Sequence, residues 1–424
     1  MRLLIKNGRV IDPATGVDDT LDILIDRGKI EKIKPKIEDD SAKTVDASRM
    51  VVAPGFIDMH VHLRQPGQED KETIKTGSLA AAKGGFTSVA CMPNTVPVND
   101  SCSVTEYILS EAKRNAVVNV LPIAAITRGL AGKEITDMVD LHDAGAIAFS
   151  DDGHPIENSL VMRRALEYSR LIDTTIIDHC EDRNLSAGGI MHEGVYSLKL
   201  GIKAIPGSAE EIMVARDIIL AKETNAKIHI AHISVKGAVE LLKYAKQQGI
   251  KITAEVTPHH LFLTDASMES FDTNLKVNPP IRSEQDVEAL IDAVKEGWID
   301  VIATDHAPHT VDEKDVELDQ APFGINGLET AVSLFLDKLV NKNILPLEKF
   351  IAMISTNPAK ILGLDNKGKI TPGADADLTI LRLNQDIVID TGRFLSKSRN
   401  SPFNGWKLKG TPVMTIVAGK IVYP

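Results

Sequence analysis

Cysteine is scarce, with only Cys91, Cys102 and Cys180 among 424 residues. An odd, sparse set excludes a disulfide framework and suits a reducing compartment. No apolar run approaches the ~18 residues that span a bilayer, and the opening Met1-Arg-Leu-Leu-Ile-Lys-Asn7 has no signal-peptide hydrophobic region. Together these absences predict a cytoplasmic protein. Positive charge is also in deficit: 48 Lys and Arg face 59 Asp and Glu, a net charge of −11. That argues against a nucleic-acid surface and against an anionic membrane partner, so any anion-binding group is a local exception. A Gly-x-Gly-x-x-Gly is missing at the first strand-to-helix turn, which weakens a dinucleotide-binding reading. Internal repeats and low-complexity segments are absent as well.

What is present is organised around Pro54-Gly-Phe-Ile-Asp-Met-His-Val-His-Leu-Arg64. Residues two apart in a strand point to the same side. His60, His62 and Arg64 therefore face one way, two imidazoles beside a guanidinium. Imidazole nitrogen is a common zinc ligand. One His-x-His is weak evidence, and it gains weight only if further His or Asp residues sit at later strand ends.

The surrounding pattern predicts where those ends lie. Residues 1–52 contain short strands with hairpin signals at Asn7-Gly8 and Arg27-Gly28. From Ala53 the chain alternates strand and helix. Apolar β-runs fall near 52–61, 86–92, 117–125, 146–150, 174–179, 227–232, 251–257 and 300–304. Helical stretches cover about 70–84, 101–115, 158–171, 208–224, 235–248 and 284–296, with two more at 327–340 and 346–362. Eight such strands favour a (β/α)₈ barrel over residues 53–363. After residue 363 the sequence turns β-like again, at Asp377–Leu381 and Val413–Val422. The two ends, 1–52 and 364–424, are expected to form one composite β-sandwich beside the barrel.

Barrel chemistry collects at the C-terminal ends of strands. The first strand ends in His60 and His62, the fourth in Asp151-Asp152, the fifth in His179, the sixth in His232 and the eighth in Asp305. Each alone reads as a cap or a packed imidazole. Together at one mouth they are costly to bury without a cation. His229, three residues before His232, is expected on the opposite strand face, and Cys180 is expected to point away from His179. His142, His154, His192 and His259 have no comparable placement. Spacing does not separate Asp151 from Asp152.

In that order the residues resemble the amidohydrolase superfamily and, within it, the longer two-domain bacterial dihydroorotases. Supporting stretches are Asp58–Arg64, Met92-Pro-Asn-Thr95, Phe149-Ser-Asp-Asp-Gly153, Asn278-Pro-Pro280, Ala303-Thr-Asp-His-Ala-Pro-His309, Pro322-Phe-Gly324 and Pro372-Gly-Ala-Asp-Ala-Asp377. The resemblance implies reversible cyclisation of N-carbamoyl-L-aspartate to L-dihydroorotate with loss of water, in de novo pyrimidine (UMP) biosynthesis. It implies two zinc ions per subunit, bridged by Asp152 and a hydroxide. His60, His62 and Asp305 would hold one ion and His179 and His232 the other, with Asp305 as the catalytic proton shuttle. It also implies substrate contacts from His62, Arg64, Asn94, Asn278 and His309, and backbone contacts from Phe323 and Gly324. Such ligands also suit manganese, iron or cobalt. A homo-oligomer and association with aspartate carbamoyltransferase stay open.

Two rival readings share the barrel. Hydantoinase-like and allantoinase-like relatives usually carry a metal-bridging lysine at the fourth strand end. This chain has no lysine between residues 134 and 197. A catalytically silent scaffold subunit typically loses metal ligands, and here every candidate is present. The charged stretch 310–320 reads either as a lid over the mouth or as a solvated loop.

Overall fold

The structure is a computed structural model that describes residues 2–424. Its first strands are β1 (Leu3–Asp12), β2 (Val17–Asp26), β3 (Lys29–Lys34), β4 (Lys43–Asp46) and β5 (Val51–Pro54). Arg27-Gly28 makes the expected hairpin turn between β2 and β3. Asn7-Gly8 does not turn the chain: β1 runs straight through it, and the pairing with β2 shifts register between Ile5 and Gly8. The Asn-Gly pair serves as a bulge because Ala14–Gly16 supplies the reversal instead.

The barrel follows. Its strands are β6 (Phe56–Val61), β7 (Phe86–Cys91), β8 (Asn119–Ala124), β9 (Ala148–Phe149) and β10 (Thr175–Asp178). A small two-stranded insert, β11 (Met191–His192) with β12 (Ala204–Ile205), interrupts the alternation before β13 (Ile228–Ile230), β14 (Ile252–Val256) and β15 (Val301–Ile302). The eight barrel strands pair in parallel from β6 round to β15. At the mouth the ring closes through His62, whose N–H donates to the His306 carbonyl at 2.8 Å.

The helices fall where the apolar spacing predicts them, and capping chemistry sets their ends. Thr73 caps Ile74–Lys83 by accepting from the Thr76 N–H, so the helix starts later than residue 70. Ser283 does the same for Glu284–Glu296, which ends at Gly297 in the left-handed conformation. The two C-terminal helical stretches each contain a wide π-helical turn, at Leu336–Val340 and Ala352–Thr356. Among the described residues no helix is long and apolar enough to cross a membrane.

The C-terminal strands β16 (Leu378–Val388), β17 (Lys407–Val417) and β18 (Lys420–Tyr423) join the N-terminal ones. Leu378–Leu381 pairs antiparallel with Val51–Pro54, which makes one sheet from both ends of the chain. That sheet curls over a core that includes Ile5, Ile23, Val52, Ile380 and Ile416, while Leu4 and Leu24 belong to a second, smaller cluster with Ile37. Its far hairpin meets the segment leading into β16, where the Ala376 N–H donates to the Gly28 carbonyl and Lys29 Nζ lies 2.7 Å from Asp375. All three cysteines are free thiols.

Candidate metal centre and substrate pocket

Strand alternation delivers the first two imidazoles to one place. His60 Nε2 lies 3.3 Å from Asp152 Oδ1 and 3.5 Å from Asp305 Oδ1. His62 Nε2 lies 3.1 Å from Asp305 Oδ1 and 3.5 Å from Asp152 Oδ2. Arg64 lies past the strand end, with φ +60°, and turns towards the β15 loop. His232 Nε2 is 3.7 Å from Asp152 Oδ1 and 2.9 Å from His179 Nδ1. The four imidazoles and the two carboxylates are buried, and Arg64 is half-buried.

The two adjacent aspartates separate cleanly. Asp151 accepts from the Thr127 N–H and hydroxyl, so it ties the β9 end to the β8 loop. Asp152 points into the imidazole cluster. His229 corrects the simple face argument. β13 ends at Ile230 and His232 adopts φ +27°, so alternation stops applying between the two residues. Both rings turn into the barrel: His229 Nε2 lies 3.1 Å from Glu255, which also holds His60, and His232 Nε2 lies 3.7 Å from Asp152. Cys180 does turn away, towards Asp178 and Asp217.

This donor set fits a cation. His60, His62 and Asp305 bring one ligand atom each within 4.8 Å of one another, and so do His60, Asp152 and His232. His60 Nε2 and Asp152 Oδ1, which face each other in the cluster, are buried polar atoms with no hydrogen-bond partner, a costly state that a metal ion relieves. Electrostatics agree. Burial opposes a proton on His60, yet Asp152, Glu255 and Asp305 hold its pKa well above the usual imidazole value. His179, against the same burial, is raised to about 10 by Asp152 and Glu181. Burial opposes charge on Asp152 and Asp305 too, but the facing imidazoles hold both well below the usual carboxylate range. The cluster is thus a set of anions demanding positive charge at its centre, which protons or a metal can supply.

Above the cluster lies a cavity of about 230 Å³. His62, Asp152, His179, His232 and Asp305 form its floor, and Arg64, Asn94, Asn278, His309, Phe323 and Gly324 its walls. His60 lies beneath, fully buried. Asn94 Oδ1 lies 2.9 Å from His62 Nδ1, and Asn278 Nδ2 donates to Glu181 at 2.9 Å. Arg64 Nε donates to the Pro308 carbonyl at 3.2 Å. Burial, then the nearby Arg64, pushes His309 down to about 3, so it is neutral. Gly324 holds φ +147°, and a Cβ there would fall 2.9 Å from the His309 ring, so only glycine fits. Its N–H is donated to the Lys276 carbonyl.

Stretch 310–320 is tied to the cavity wall by several contacts. Thr310 and Glu313 form a capping box on the short helix Val311–Lys314. Lys314 Nζ reaches back to the Pro322 carbonyl at 2.8 Å, and Lys276 Nζ to the Leu318 carbonyl at 2.8 Å.

Sequence reasoning missed Glu255 and Glu181. Glu255 is fully buried and lies 2.6 Å from His60 Nδ1, where it fixes the ring. Its signal was available, as the lone charge in the otherwise uncharged strand Ile252-Thr-Ala-Glu-Val256. Glu181, 3.0 Å from His179 Nε2, follows the strand in a loop and carried no such signal.

Comparison with known proteins now bears on this geometry. A dihydro-orotase-like family profile matches residues 49–238, and an amidohydrolase-family profile matches 324–423. A dihydroorotase from Pelotomaculum thermopropionicum is 53% identical over 100% of this chain and 98% of its own. One from Syntrophus aciditrophicus is 51% identical over 100% and 99%. The chain belongs to the dihydroorotase family. Among solved structures, an L-hydantoinase (dihydropyrimidinase) from Arthrobacter aurescens matches this dihydroorotase-family chain at TM-score 0.90. Its identity is 27%, over 99% of this chain and 96% of that one. A dihydropyrimidinase from Brevibacillus agri matches at TM-score 0.87 and 22% identity, over 100% and 95%, a likeness of fold. The dihydroorotase-family chain is therefore a cyclic-amide hydrolase on an amidohydrolase barrel.

Proposed function

We propose that the protein interconverts N-carbamoyl-L-aspartate and L-dihydroorotate, using residues 53–363 as the hydrolase barrel and the composite sheet of 1–52 and 364–424 as its support. The observation that carries this reading is a single cavity with carboxylates and imidazoles on its floor and Arg64 on its wall. We place the reaction in the cytoplasm, where three free thiols stay reduced.

Two zinc ions are the cofactor of this reading. His60, His62 and Asp305 would hold one, and His179 and His232 the other, with Asp152 available to both. Bound there, they would acidify a water molecule and polarise the ring carbonyl. Asp305 takes the proton of the attacking water and hands it to the ring nitrogen as the C–N bond breaks. In ring closure it acts in the opposite sense. A positioned proton carrier of this kind is worth about 10²–10⁴-fold.

Arg64 receives the substrate's remaining carboxylate. Its Nε is held by Pro308, which leaves the outer guanidinium edge for a two-pronged contact that lysine lacks. His309 lies 3.4 Å from Arg64 Nη2 and acts as a neutral partner beside it. Asn94 and Asn278 contact the ring, with Phe323 and Gly324 as the facing wall. Asp152, in the position that hydantoinase-like relatives fill with lysine, favours dihydroorotate over hydantoin.

The test is ring opening of L-dihydroorotate by zinc-loaded protein, followed by ultraviolet absorbance, with hydantoin and allantoin as controls. Turnover of dihydroorotate alone is expected. Turnover of the controls instead would move the substrate to a relative, and no turnover with metal bound would favour a scaffold subunit.

A further inference from the structure

The connection between β16 and β17 does not stay with its own sheet. It leaves β16 near Val388 and returns at Lys407, and in between it reaches the barrel mouth. Ser398 Oγ donates to the Lys71 carbonyl at 2.8 Å, in the loop that follows β6. Two residues later, Asn400 enters the layer behind the substrate cavity. It is 3% exposed and does not line the cavity itself.

Asn400 uses its side chain and its backbone to hold two cavity walls together. Its Nδ2 donates to the Ala307 carbonyl at 2.9 Å and to the Gly324 carbonyl at 3.1 Å. Its Oδ1 accepts from the His309 N–H at 3.1 Å. Its own carbonyl accepts from the Asn326 N–H at 2.8 Å. Ala307 and His309 flank Pro308, and the Pro308 carbonyl is the group that holds Arg64 Nε. One buried amide therefore grips both sides of the peptide that aims the arginine. It also ties that peptide to Gly324 on the facing wall.

We propose that Asn400, supplied by the C-terminal segment, is a positioning residue for the anion-binding end of the cavity. It acts through Pro308 on Arg64 and directly on the backbone of His309 and Gly324. The inference rests on the dihydroorotase reading. The amide chemistry matters: aspartate loses both donors and sets a carboxylate against two carbonyls, and serine is too short to span both walls. The metal ligands lie on the cavity floor and make no contact with Asn400, so a change here reaches carboxylate binding and leaves the floor intact.

The test is steady-state ring opening of L-dihydroorotate by the zinc-loaded full chain, for wild type, Asn400→Ser, Asn400→Asp and Ser398→Ala. Metal content and melting temperature are measured on each. Serine keeps a small polar group, so at least one variant is expected to fold. Both Asn400 variants should raise KM by about tenfold or more with kcat within about threefold and zinc content unchanged. Ser398→Ala removes a hydrogen bond from the same segment away from the cavity, and its KM should match wild type. An unchanged KM in a folded Asn400 variant overturns the proposal. So does a loss of kcat and zinc in step with stability, which is what a merely structural residue would give. If neither Asn400 variant folds while Ser398→Ala does, the residue is structural and the proposal fails. Absence of turnover by wild type would instead overturn the dihydroorotase reading beneath it.

Discussion

Glu255 Oε1 lies 2.6 Å from His60 Nδ1, and both side chains are wholly buried. The contact fixes which imidazole nitrogen faces the cavity floor: Nδ1 is engaged by the carboxylate, so Nε2 is turned to Asp152 and Asp305. The same carboxylate accepts from the His232 N–H, and its other oxygen meets His229. Burial opposes its charge, but His60 and His229 hold Glu255 at about 2. One ionised glutamate thus orients donors on two different strands.

Glu255→Gln should therefore weaken zinc binding by about 10–100-fold, the usual cost of losing a carboxylate behind a ligating imidazole. Activity should fall with zinc content and recover in part at high zinc. Metal analysis after dialysis checks this. Full zinc retention in the variant would remove Glu255 from the metal centre.

The adjacent aspartates should respond differently. Asp152→Asn is expected to lose zinc and turnover together. Asp151→Ala removes both buried bonds to Thr127 and should lower stability by about 1–3 kcal/mol, while zinc content is retained. Chemical denaturation and metal analysis on the two variants separate the roles. Equal loss of zinc in both would contradict the geometry.

Arg64→Ala should raise KM for dihydroorotate by about tenfold or more without displacing zinc, and Arg64→Lys should not restore it, because an ammonium lacks the planar fork. Steady-state kinetics with metal analysis decides the point. An unchanged KM takes Arg64 out of the site.

Metal binding should strengthen as pH rises. In the metal-free protein the carboxylates hold His60 well above the usual imidazole value and His179 near 10, each against the effect of burial. A cation has to displace those protons, so proton release accompanies binding and affinity falls as pH is lowered through the neutral range. Calorimetric zinc titrations in buffers of different ionisation enthalpy measure the protons released. A heat independent of buffer would contradict this.

The barrel was legible because its eight apolar runs and intervening helices carry distinct periods, and because chemistry at strand ends needs only the position of the last strand residue. His60 and His62 followed from alternation. Alternation failed where strands stop: the His229 ring meets Glu255 and the His232 ring meets Asp152, both inside the barrel, because β13 ends between them. Asn7-Gly8 carries a turn signature and is spent on a bulge, since a second turn sequence lay nearby. Asp151 and Asp152 are the same residue type one position apart, and only the Thr127 contact separates them. Asn400 was invisible for a further reason. The partners of its side-chain amide lie 76 to 93 residues away and are main-chain groups, which leave no mark in the sequence.

The central claim is that this cavity makes and breaks the dihydroorotate ring with Asp305 carrying the proton. The direct measurement is ring formation from N-carbamoyl-L-aspartate, and ring opening of L-dihydroorotate, by zinc-loaded wild type and Asp305→Asn. Closure removes a carboxylate charge and consumes a proton, so it is followed on the acid side of neutrality. Wild type is predicted to run both directions, and Asp305→Asn to lose both by about 10²-fold or more. Near-normal turnover in either direction by Asp305→Asn would contradict the account.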